Sequence, residues 1–157
     1  MNILDSYTYS VLEELIKQKV EFIVIGGYAV NFHGFRRPTG DIDLLIKPDN
    51  GENKTRLIAA LRNLGITEPV LEQLNKLDFE KAQAFRDGEE PFRIDFLTKV
   101  SGVKFNEAWI EKQSIEVDGL NINFLHIKHL IATKITTGRT KDAADIEELQ
   151  RIQKYKK

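Results

Sequence analysis

Apolar residues recur at helical spacing near the start of the chain. Val11, Leu12, Leu15 and Ile16 share one face between Tyr7 and Lys19, and Asp5 or Ser6 stands where a helix start favours a short polar side chain. The pattern then changes. Glu21 to Ile25 is a short apolar run that stops at Gly26-Gly27, as a buried strand does. A short helix is expected from about Tyr28 to His33, and Gly34 to Gly40, broken by Pro38, reads as loop. Asp41 to Lys47 is the next strand, closed by the turn residues Pro48-Asp49-Asn50-Gly51. Leu57, Ile58, Leu61 and Leu64 then return to helical spacing over Lys54 to Leu64, with Gly65 as the stop, and Pro69 to Leu77 reads as a further short helix.

In the second half, Ala82 to Arg86 and Phe92 to Thr98 read as strands joined through Asp87-Gly88, a hairpin signal. Phe105 to Lys112 is expected to be helical. Gln113 to Val117 and Leu120 to Leu125 flank Asp118-Gly119, the strongest hairpin signal in the chain. Two helices, Ile127 to Thr136 and Lys141 to Gln153, follow and are separated at Gly138. The order predicts an α/β (α+β) fold, a small mixed sheet flanked by helices, in a single domain over residues 1–157.

Composition narrows the function. At 41% hydrophobic and 30% charged residues the chain has the make-up of an ordinary globular protein. With 23 basic and 24 acidic side chains it lacks the basic excess of proteins that grip many phosphates, so any polyanion site must be a local patch. The absence of cysteine excludes disulfides, thiolate catalysis and Cys-ligated zinc. No apolar run approaches the roughly 20 residues that span a bilayer, and Met-Asn-Ile-Leu-Asp-Ser does not resemble a signal peptide. The expectation is a cytoplasmic protein with no membrane partner.

The candidate chemistry is acidic. Asp41 and Asp43 lie two apart on one predicted strand, so both carboxylates face the same way while Ile42 and Leu44 face the core. Adjacent like charges repel, and one takes up a proton unless a cation sits between them. A hard divalent ion, Mg²⁺ or Mn²⁺, resolves the conflict. Asp95, alone among apolar neighbours in Phe92-Arg93-Ile94-Asp95-Phe96-Leu97, offers a third carboxylate from a second strand. Three such groups can hold two metals about 4 Å apart for in-line phosphoryl displacement. Upstream, Gly26-Gly27 between a strand and a helix lets backbone approach a phosphate closely.

Gly26-Gly27, then Asp41-Ile42-Asp43-Leu44, then Ile94-Asp95-Phe96 resembles the pattern of the DNA polymerase β-like nucleotidyltransferase superfamily. Gly27 stands where Ser is commoner in that pattern. Arg37-Pro38-Thr39-Gly40 and Lys141-Asp142-Ala143-Ala144-Asp145 resemble its small bacterial stand-alone branch, which contains the AbiEii-type toxins. The resemblance implies that Asp41 and Asp43 bind both metals, and that Asp95 binds the second and helps deprotonate the attacking hydroxyl. Gly26 and Gly27 would lie under the phosphates of a nucleoside triphosphate such as ATP. It further implies transfer of a nucleotide to an acceptor hydroxyl or phosphate on RNA, protein or a small molecule, and a toxin–antitoxin setting. A homodimer or partner protein could complete the site.

Other residues are weaker candidates. Arg36 or Arg37, with Arg37 preferred, could steer phosphates, and Lys134 and Lys141 could reach a triphosphate; each is equally an ordinary surface charge. Asp142 and Asp145 suit the first turn of a helix electrostatically, and the resemblance alone suggests more. His126 and His129 have metal-compatible spacing but no carboxylate nearby in sequence, and His33, Trp109 and the phenylalanines read as structural. Two rivals stand beside the main reading: a non-catalytic nucleotide- or partner-binding regulator or antitoxin of the same fold, and an antibiotic-modifying nucleotidyltransferase.

Overall fold

The computed structural model describes residues 4–35, 40–89 and 92–155. The first helix, α1 (Ser6–Lys17), is capped by Asp5, whose carboxylate accepts the Thr8 backbone N–H at 2.8 Å and the Thr8 hydroxyl at 2.7 Å. Its end is a Schellman turn, with Val20 N–H bonding to Leu15 O and Lys19 N–H to Ile16 O, which forces Lys19 to φ +61°. The expected buried strand is β1 (Phe22–Ile25), and all four of its residues are buried.

The helix expected at Tyr28 begins earlier. α2 (Gly26–Phe32) starts on the glycine pair itself, because Gly26 adopts φ +68° and turns the chain into the helix at once. β2 (Asp41–Ile46) pairs antiparallel with β1, placing Ile25 opposite Asp43. α3 (Glu52–Asn63) and α4 (Glu68–Lys76) follow, two and one residues longer at their starts than the periodicity suggested. Gly65 supplies the left-handed residue that ends α3.

The next hairpin corrects the sequence reading. Asp87 and Gly88 are not its turn: β3 (Ala84–Glu89) runs through both and pairs them with Ile94 and Arg93 of β4 (Phe92–Leu97). A glycine at φ +87° can stay in register on an edge strand, so Asp87-Gly88 signalled a turn that the ladder overrode. α5 (Phe105–Glu111) leads to the hairpin of β5 (Gln113–Val117) and β6 (Leu120–Phe124), whose turn is Asp118-Gly119 as expected. α6 (Ile127–Thr137) ends at Gly138, and a single 3-10 turn (Thr140–Asp142) precedes α7 (Ala143–Tyr155).

The six strands form one mixed sheet in the order β3-β4-β2-β1-β6-β5. β2 and β4 are parallel neighbours, as are β1 and β6, and the remaining pairs are antiparallel. Ile42, Leu44, Ile94 and Phe96 are fully buried on one face. Leu61 of α3 and Leu74 of α4 line the space beside Phe85 and Phe96 on that face. The opposite face carries Asp43, Asp95 and Leu97 and looks toward Leu130, Thr133 and Lys134 of α6. Among the described residues, no helix is long and apolar enough to cross a membrane.

Candidate active site

Strand alternation and register assemble the acidic centre. In the parallel β2–β4 pair, Asp43 stands directly beside Asp95 and Asp41 directly beside Arg93, so all four side chains emerge on one face. Asp43 and Asp95 are in hydrogen-bond contact. Burial, the Asp95 charge and the bond to it, and more distantly Asp41 push the Asp43 carboxyl up to about 7, against a smaller opposing pull from Lys134. The like-charge conflict expected from sequence is therefore present, but its strongest partner is Asp95 across the strands rather than Asp41 along the same strand.

Two arginines occupy the outer carboxylates. Arg93 forks onto Asp41 at 2.7 and 3.2 Å, and that guanidinium holds the Asp41 carboxyl below its ordinary range. Arg86, opposite Asp95 in the antiparallel β3–β4 pair, places Nε 2.5 Å from Oδ1 and Nη2 3.4 Å from Oδ2. Among the described residues, no group of three or more histidine or acidic side chains is gathered as an ion site. The donor chemistry nonetheless suits a hard divalent cation: two touching carboxylates and a third on the same face, with Gly26 leaving the room that the Asp43 carboxylate occupies.

Ile25, the chain neighbour of Gly26, is the register partner of Asp43, and a Cβ on Gly26 would fall within 3.4 Å of three Asp43 side-chain atoms. Gly26 is thus required by carboxylate as well as by turn geometry. Gly27 sits in the first turn of α2. A cavity of about 610 Å³ opens in front of this centre, lined by Gly26, Asp43, Asp95, Arg86, Lys134 and Arg139 among others.

Lys134 is no surface lysine. It is 6% exposed and its ammonium lies 3.1 Å from Asp142 and 3.0 Å from Asp145, both equally buried. Asp142 also accepts from Arg139 Nε at 2.8 Å and from the Thr137 hydroxyl at 3.3 Å. Burial works to raise the Asp142 carboxyl, but the bonds from Lys134 and Arg139 prevail and hold it below its ordinary value. Asp142 and Asp145 therefore pin α7 to α6 as counter-ions, a larger task than the helix-dipole role suggested by position. Lys141 falls in the 3-10 turn, and its side chain lies outside the described residues, as do Arg36 and Arg37. His126 caps α6 by accepting the Lys128 N–H, and His33 bonds the Leu125 carbonyl at 2.7 Å.

Residues 5–157 match the family described as "Nucleotidyl transferase of unknown function (DUF2204)". The chain belongs to that family. None of the curated proteins matches it. Among solved structures, a Thermotoga maritima protein assigned as a nucleotidyltransferase is similar, with a TM-score of 0.58 at 14% identity, over 92% of this chain and 91% of that one. The lincosamide antibiotic adenylyltransferase LnuA, bound to lincomycin, aligns with a TM-score of 0.57 at 14% identity, over 97% of this chain and 99% of that one. ANT(2'')-Ia in complex with adenylyl-2''-tobramycin gives 0.55 at 13% identity, over 94% and 92%. At such identities the agreement is one of fold, and the fold is the one implied by the glycine-pair and paired-aspartate pattern.

In this member of the family the sequence reading missed Arg86, Arg93 and Arg139. One signal was available. Arg93 precedes Asp95 by two and Asp41 precedes Asp43 by two, so alternation alone puts each pair on one face. That the two faces coincide, with Arg93 beside Asp41, needed the parallel register.

Proposed function

We propose that this chain is a divalent-metal-dependent nucleotidyltransferase that moves a nucleoside monophosphate from a triphosphate to an acceptor hydroxyl or phosphate. The observation that carries the reading is the contact of Asp43 with Asp95 beside Gly26, at the edge of a cavity whose other charged lining residues, Arg86, Lys134 and Arg139, are cationic. Asp43 and Asp95, with Asp41 beside them, are the residues that would hold Mg²⁺ or Mn²⁺. Such an ion, when bound, supplies Lewis-acid stabilisation of charge on the triphosphate.

The chain's own groups do the rest. Arg86, Arg139 and Lys134 line the cavity and make it attractive to phosphate oxygens. Lys134 is positioned for this by Asp142 and Asp145, which fix its ammonium while balancing its charge. Asp95, whose side chain is 20% exposed, is the group we assign to receive the proton of the attacking hydroxyl. Gly26 leaves room for the Asp43 carboxylate, and Gly27 follows it in the first turn of α2.

The acceptor is the open specificity. RNA, a protein side chain and a small molecule are all consistent with transfer chemistry. The fold shared with LnuA and ANT(2'')-Ia puts antibiotics such as lincomycin and tobramycin among the acceptors to test. The resemblance to AbiEii-type proteins supports a toxin–antitoxin setting, with a partner protein or second copy completing the site.

Thermal melting with Mg²⁺ and each triphosphate tests the reading. Ligand that binds only the folded form raises the midpoint as ln(1 + [L]/Kd). The expected result is a rise that needs both metal and triphosphate and vanishes in Asp43→Ala. Transfer of label from an α-labelled triphosphate to cellular RNA, protein or an added small molecule then identifies the acceptor class. A chain whose melting ignores every triphosphate and which transfers no label is the non-catalytic regulator instead.

A further inference from the structure

We propose that Arg86 is a positioning residue that exchanges partners on loading: it holds Asp95 in the free protein and turns to the triphosphate when nucleotide and cation arrive, so that the two ligands bind interdependently. The inference rests on the nucleotidyl-transfer reading above and adds to it an order among the ligands.

Four observations meet here. Arg86 and Asp95 are direct cross-strand partners, so their pairing is built into the β3–β4 register rather than left to a flexible loop. The fork is incomplete, with one bond at 2.5 Å and the second at 3.4 Å, which leaves guanidinium donors for another acceptor. Arg86 is the outer member, its side chain 52% exposed against 20% for Asp95, and it stands on an edge strand, so it can swing into the cavity without disturbing the core. Both residues line the cavity that also holds Asp43 and Gly26. The Arg93–Asp41 pair repeats the motif one strand further in, so both outer carboxylates of the centre carry a guanidinium directly beside them.

Charge then dictates the order. A divalent cation approaching Asp95 alone meets a guanidinium already seated there and must displace it into water. A triphosphate arriving with the cation offers that guanidinium a planar oxygen pair as good as the carboxylate it leaves. Each ligand therefore lowers the cost of binding the other, a coupling that is reciprocal by linkage. An arginine serving only as a strut between β3 and β4 would stabilise the sheet and leave this balance untouched.

Mn²⁺ binding followed by electron paramagnetic resonance on the full chain tests this, for wild type, R86Q and R86K. It is measured with Mn²⁺ alone and with Mn²⁺ plus a triphosphate whose α–β bridge cannot be cleaved, melting curves confirming that each variant is folded. The expected result is opposite shifts in R86Q: Mn²⁺ alone binds at least about fivefold tighter, and the Mn²⁺-loaded analogue at least about fivefold weaker. R86K, which keeps a charge beside Asp95, returns the Mn²⁺ affinity toward wild type. If R86Q leaves Mn²⁺ affinity unchanged or weakens it, the exchange is wrong even though wild type binds both ligands. If wild type binds neither Mn²⁺ nor the analogue, the nucleotidyl-transfer reading falls and this inference falls with it.

Discussion

An ideal Cβ placed on Gly26 would stand 2.2 Å from Oδ2 of Asp43. The first glycine of the pair is therefore the complement of a carboxylate, and the turn that starts α2 and the acidic centre on β2 are a single packed unit. Two strictures act on the same residue, because Gly26 also sits at φ +68°.

Gly26→Ala should consequently be costly twice over, through left-handed strain and through displacement of the Asp43 carboxyl. The expected destabilisation is about 2–4 kcal/mol. Urea unfolding measures it, and the triphosphate-dependent rise in melting midpoint should be lost in the same variant. A variant as stable as wild type would show that Asp43 does not occupy the recess.

Asp43→Asn should stabilise the metal-free protein at neutral and alkaline pH while abolishing nucleotide-dependent stabilisation. The folded Asp43 carboxyl holds its proton up to about 7, whereas the unfolded chain releases it near 3.8. Its favourable contribution is complete below pH 3.8, declines as the unfolded form ionises first, and is gone above about 7. Removing the group should leave stability at pH 3.5 little changed and raise it at pH 8 by up to about 4 kcal/mol. Urea midpoints of both proteins across that pH range, in chelator, check the sign.

Lys134→Met removes the cation shared by two buried carboxylates and should destabilise by about 3–5 kcal/mol, because Asp142 and Asp145 are left close together away from water. Asp142 also shapes the acid limb. Its folded pKa lies below the ordinary value, so the stability it contributes is present above pH 3.8 and disappears as pH falls through the folded value. Asp142→Asn should be less stable at pH 7 and should lose less stability than wild type on acidification below pH 4, as read from acid titration of the circular dichroism signal.

Lys19→Gly should stabilise. Lys19 is an exposed residue at φ +61° after α1, where Gly65 serves the same Schellman geometry after α3. Relief of the left-handed penalty, less the extra freedom of glycine in the unfolded chain, should raise stability by about 0.5–1 kcal/mol in urea titration.

Periodicity and alternation were enough to find the elements, because each depends on neighbours close in sequence. The buried strand Phe22–Ile25, the paired carboxylates of β2, the isolated carboxylate of β4 and the Asp118-Gly119 turn all follow from local rules. So does the facing of Asp95 away from Ile94 and Phe96. The misjudged turn at Asp87-Gly88 is the local rule that failed: the backbone preference of glycine was real, but the ladder to Ile94 and Arg93 was worth more.

What the chain's order of residues determined, then, was which side chains share a face and which carry charge among apolar neighbours. Tertiary structure alone decided who meets whom. The parallel register of β2 and β4 put Asp43 against Asp95 and Arg93 against Asp41, and the edge position of β3 brought Arg86 to Asp95. The packing of α7 on α6 turned three separate charges, Lys134, Asp142 and Asp145, into one buried cluster. Register between strands distant in sequence is set by the burial of whole faces at once, and no window of neighbouring residues contains that sum.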